Sequence, residues 1–231
     1  ENPLANKSNR DRVLSYCRLA AEAKLGNLEE QFDHVVFVLP EQLELLALAI
    51  IGRWDSYYGM SWILRPSMPL HEIGHNMGLD HAGEYNIYDD KTGYMGFSYD
   101  DRSGPSMCYN PANSYFLGWY KKQTESFDAE TSGAGGKLFT LNGVADYKPK
   151  KAGTGDDKRI VVLRLTQSNR SWDYYVGYNR ATGINKGTQE DMNEIVIVRK
   201  NGPAGSFTTT KKIGTLSTDK GTDGRFFEIE N

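Results

Sequence analysis

The chain has 231 residues, 39% of them hydrophobic and 25% charged, with a formal net charge of -3. This is ordinary globular composition, long enough to bury a core in one large domain or two small ones, and it excludes a disordered chain. The near-neutral balance provides no polybasic surface for nucleic acid or an anionic membrane. In chain order, Asp11 to Leu25 (DRVLSYCRLAAEAKL) spaces its apolar residues helically and is closed by Gly26. Asp33 to Leu39 is β-branched and ends at Pro40, which predicts an interior strand. Leu43 to Ile51 is the most apolar run, too short to span a bilayer, and predicts a buried strand or helix. Ala49 to Gly59 reads as a strand ending in a turn, and a second helix is expected from about Pro66 to Pro69 onward.

Beyond Tyr120 the character changes. Glu130 to Lys137 is a glycine-rich break, followed by predicted strands at Lys137–Leu141, Arg159–Leu165, Asp173–Tyr178, Glu194–Arg199 and Phe226–Ile229. Asn-Gly at 142–143 and 201–202 and Asp-Gly at 223–224 are turn signals. The predicted class is α+β: a domain over 1–129 with a mixed sheet and helices, then an all-β, sandwich-like module over 130–231. No fixed-period repeat is present.

The chain begins at Glu1 without a signal-peptide pattern, which leads us to expect a mature form or an excised domain. Cys17 and Cys108 are its only cysteines and fit either one disulfide or two thiols. The sequons Asn6-Lys7-Ser8 and Asn169-Arg170-Ser171 permit a secretory reading.

Three of the four histidines fall within residues 71 to 81, HEIGHNMGLDH. On a helix His71 and His75 lie one turn apart on one face, so both imidazoles can reach one cation. Glu72 is rotated away, placed to touch a water on the metal rather than the metal itself. Gly78 can take a positive φ, end the helix and turn the chain so that His81 returns as a third ligand. Three protein ligands and one open position make a catalytic zinc arrangement, whereas structural sites are closed by four. The ligand types favour Zn2+ over magnesium or calcium.

The full pattern H-E-x-x-H-x-x-G-x-x-H is the metzincin signature. HEIGHNMGLDHAGEY, then GYMGFSYDD, then MCYNPANSYFLGWY resembles the gametolysin family of metzincins, secreted proteases first known from algal cell-wall lysis. The likeness covers about Val35 to Tyr120 and continues into YYVGYNRATGIN (174–185). Several members carry Gln at the first ligand position, where this chain has His71. Astacin-like enzymes place Glu after the third histidine, where this chain has Ala82.

The resemblance implies a metzincin-type zinc protease domain with an active-site HExxH helix. It also implies a methionine turn beneath the metal, at Met95 with Met107 as the rival, and Tyr109 as a candidate oxyanion helper. At such a site the metal supplies Lewis-acid chemistry, and Glu72 takes a proton from water and returns it to the leaving amine. The expected protein is a secreted, monomeric zinc endopeptidase acting on extracellular, cell-wall or matrix proteins and glycoproteins. It has no nucleic-acid partner and no membrane span. An extended substrate is expected along an edge strand within Ile50 to Tyr58, where Trp54, Tyr57 and Tyr58 either line the cleft or are plain strand aromatics. The alternative is a catalytically silent binding or adhesion protein that keeps the zinc scaffold, and intact Glu72 speaks against it.

Overall fold

A computed structural model describes residues 7–97, 106–128, 137–147, 159–202 and 208–218. The described residues up to Gly78 form one unit and those from Leu79 onward form another. The architecture is mixed α and β, as expected.

In the first unit α1 (Lys7–Leu25) and the short α2 (Leu28–Gln31) precede β1 (Val35–Leu39), β2 (Ala47–Ala49), β3 (Asp55–Gly59) and α3 (Ser67–Asn76). The sheet order is β1-β3-β2, with β1 parallel and β2 antiparallel to β3. Leu14 of α1 packs with Leu39, Leu45 and Tyr57, and the rings of Phe37 and Tyr57 stack at 4.9 Å. Because strand residues alternate faces, Tyr58 points to the other side, toward Glu72 of α3. The predicted strand over Ala49 to Gly59 is two strands, with the chain turning at Ile51 and Gly52 between them. β3 is central rather than an edge, and every residue in it is buried. Trp54, Tyr57 and Tyr58 are therefore core aromatics. The edge next to β3 is β2, at the end of the apolar run Leu43 to Ile51, and it is only partly buried.

The second unit contains β4 (Ala82–Gly83), α4 (Pro111–Leu117), β5 (Thr124–Asp128), β6 (Val162–Thr166), β7 (Trp172–Tyr178), β8 (Ile195–Asn201) and β9 (Thr210–Leu216). They form a six-stranded sheet in the order β4-β9-β8-β7-β6-β5. The two outer pairs are parallel and the inner ones antiparallel. β4 and β5 precede residue 130 and lie in the same sheet as the strands that follow it. On one face Val161, Val162, Tyr175, Val196 and Val198 pack with Ala112 of α4; on the other Leu163, Tyr174, Val176 and Ile197 form a second cluster.

The sequence did not predict α4. Asn110 caps it, its Oδ1 accepting the Asn113 N–H at 2.9 Å, and Pro111 fills the first turn, where no N–H is needed. A Cβ on Gly177 would stand 2.7 Å from the Pro111 ring, so α4 settles on β7 only because that residue is glycine. Leu141 makes an isolated bridge with Ile160, and the rest of the predicted strand Lys137–Leu141 is irregular. Phe226–Ile229, the 223–224 turn and Asn6 lie outside the described residues. No helix among the described residues is long and apolar enough to cross a membrane.

Candidate metal centre

α3 begins after Pro66, and Pro69 is tolerated because it falls within the first turn. One turn along, His71 and His75 project from the same face with ring centroids 4.8 Å apart and nearly perpendicular. Both are buried, as is Glu72 between them in sequence. The helix is held by contacts to its own sheet. Gly52 donates to the His75 carbonyl at 2.8 Å, and the Asn76 amide donates to the Asp55 carbonyl at 3.0 Å.

The helix then stops as the spacing predicts. Gly78 takes φ 92°, a left-handed conformation that an L side chain would strain, and its N–H closes on the His75 carbonyl at 2.9 Å. Beyond it the His81 N–H donates to Asp80 Oδ1 at 2.7 Å. His71, His75 and His81 each offer one ligand nitrogen, and these atoms lie within 4.8 Å of one another. Three imidazoles, two of them buried, suit a borderline transition metal and not a hard oxygen-seeking cation.

Burial pushes the Glu72 carboxyl up to about 7, opposed by the hydrogen bond it accepts from the Ala49 N–H of β2. A carboxyl held there can both take and return a proton near neutral pH. Burial also raises the Tyr58 phenol, to about 12, with Glu72 a lesser cause.

Of the two methionines singled out, Met95 is fully buried, and its carbonyl accepts the Ala82 N–H at 2.8 Å, one residue past His81. Met107 is also buried, and its N–H donates to the Tyr94 hydroxyl at 3.1 Å. Tyr109 packs its ring against Tyr94 and Trp119. The ring against the third ligand is that of Tyr88, with centroids 4.2 Å apart. Sequence reasoning passed over Tyr88 and Asp80; only their nearness to His81 in the chain could have flagged them. Cys17 and Cys108 are free thiols, and burial raises Cys108 to about 12, which keeps it protonated and poorly nucleophilic.

Clustered imidazoles with a buried helix carboxylate define a candidate metal centre of a hydrolytic type. The family model described as gametolysin peptidase M11 matches residues 12–212, and the chain belongs to that family. Membership supports a proteolytic function. The chain is similar to the autolysin of Chlamydomonas reinhardtii, with 32% identity over 150 residues, covering 56% of this chain and 23% of the algal protein. The chain thus aligns with less than a quarter of that relative's length. No solved structure matches the chain.

Proposed function

We infer that the chain is a zinc-dependent endopeptidase of the metzincin type. The observation that carries this reading is the His71, His75 and His81 cluster, adjoining a buried Glu72, in a member of a peptidase family. Zinc held by the three imidazoles would supply a Lewis acid for the scissile carbonyl and for an attacking water. Glu72 accepts the water's proton on a carboxylate oxygen and delivers it to the leaving amine. The Ala49 N–H keeps that carboxylate oriented, and its burial excludes competing solvent. An extended substrate pairs its main chain with the edge strand β2, and not with the central β3.

Met95 forms the methionine turn in this reading, with Met107 as the alternative, and Tyr109 assists the oxyanion. In this reading residues 1–129 supply the catalytic domain and 130–231 the sandwich-like β module, whose sheet also takes in β4 and β5 from the first span. The substrates are extracellular, cell-wall or matrix proteins and glycoproteins, and the enzyme acts as a secreted monomer. The sequon at Asn169, exposed in the β6–β7 turn, fits secretion.

The test is peptide hydrolysis before and after metal removal. A chelator should abolish cleavage, and zinc should restore it. Zinc-loaded protein that cleaves nothing across a broad peptide library would favour the silent binding protein instead.

The pH dependence follows from Glu72. Its raised pKa means that the neutral form, which cannot accept a proton, persists to higher pH than for an ordinary carboxyl. A bound dication pulls the value down, so the acid limb of kcat/KM should have its midpoint at or below 7. Beneath that midpoint the rate should decline about tenfold per pH unit. An acid-limb midpoint well above 7 would contradict this assignment of the base.

A further inference from the structure

We propose that strand β9, more than a hundred residues along the chain, positions the third ligand His81, with Thr209 and Thr210 as the positioning residues. The inference rests on the metal reading above and gives the β-rich half of the chain a role at the site. His71 and His75 are carried by their helix, but Gly78 ends it, so His81 lies outside α3 on a separate segment. The segment that carries it, β4, is two residues long, with the Ala82 N–H bound to the Met95 carbonyl and a partner strand paired alongside.

That partner is β9, which pairs in parallel with Ala82 opposite Thr210 and Gly83 opposite Lys211. The Thr210 N–H donates to the His81 carbonyl at 3.0 Å. The Thr209 hydroxyl donates to Asp80 Oδ2 at 2.9 Å, while Asp80 Oδ1 accepts the His81 N–H. Asp80 Oδ1 also lies 3.7 Å from His81 Nδ1. Thr209 therefore sets the carboxylate that meets His81 at both its backbone and its ring.

Thr210 is itself locked. It is fully buried, and its hydroxyl accepts the Asn110 amide at 2.9 Å; the same amide donates to the buried Asp90 at 2.8 Å. The start of β9 is tied by Lys200, whose ammonium donates to the Thr208 carbonyl at 2.6 Å. Past His81, Glu84 pairs with the buried Lys212 of β9 at 3.2 Å. His81 thus has its carbonyl, its N–H and the chain after it braced by β9 and by Thr209, the residue just before that strand.

The experiment uses the full chain and measures zinc affinity by chelator competition, together with the visible spectrum of the cobalt-substituted protein. Thr209 is exposed, so Thr209→Val removes the hydroxyl without touching the core. Its zinc affinity should fall about tenfold, the lower end for residues that orient metal ligands. The cobalt spectrum should change, while the melting temperature of the metal-free protein stays that of wild type. Thr209→Ser should restore both readouts, and Lys211→Gln, at an exposed position of the same strand, should alter neither. Wild-type affinity and spectrum in Thr209→Val, or failure of serine to rescue, overturns the positioning role and leaves the metal reading standing. A wild-type chain that takes up no zinc sinks both.

Discussion

Glu72→Ala should retain zinc yet hydrolyse peptides at least about 10²-fold more slowly, the loss expected for a positioned general base and equal to about 2.7 kcal/mol in the barrier. The metal stays because the carboxylate lies outside the histidine cluster. The fold should stay because burial disfavours the charged carboxylate, so its removal relieves a desolvation cost. The Ala49 N–H loses its acceptor, a local cost of about 1–3 kcal/mol at most. Zinc content and turnover, measured on the same preparation, check the expectation. Wild-type turnover in the variant would mean that another group takes the proton.

His75→Ala should lose metal and activity together. Structural zinc binding of about 10–16 kcal/mol shared among four ligands is roughly 3 kcal/mol per ligand, so removing one of three weakens binding by about 10²-fold or more. The backbone bonds at this position survive the substitution, because Gly52 and Gly78 both donate to the His75 carbonyl. The helix should therefore persist, with the loosening confined to the cavity beside His71. Metal analysis after dialysis separates the two variants: both inactive, only one empty. Zinc retained in His75→Ala would show that the ligand set is wrong.

The parts of the molecule that announce themselves locally were readable before the structure. Helix α1 and strand β1 carry their periodicity within a few residues, and β6, β7 and β8 are apolar runs set between turns. The histidine cluster was readable for the same reason, since its geometry follows from helical spacing and one glycine. What was not readable depends on partners far away. β4 is two residues and β5 (TESFD) is polar, so neither displays a pattern of its own. In β9 the lysines hide the strand, and Lys212 is buried because Glu84, Glu190 and Asp191 gather around its ammonium. Helix α4 spans seven residues, too few for a 3.6-residue period to emerge. For Trp54, Tyr57 and Tyr58 the sequence left cleft lining and plain strand aromatics both open, because aromatic content does not distinguish a central strand from an edge. Only the order β1-β3-β2 makes that distinction.

The most direct test of the central claim is a crystal structure of the zinc-loaded protein with anomalous scattering at the zinc edge. The account predicts one zinc per chain, bound by His71, His75 and His81 at about 2.0–2.1 Å, with the fourth position open to water or substrate. A fourth protein side chain closing the site, or imidazoles pointing apart with zinc bound elsewhere, would contradict it.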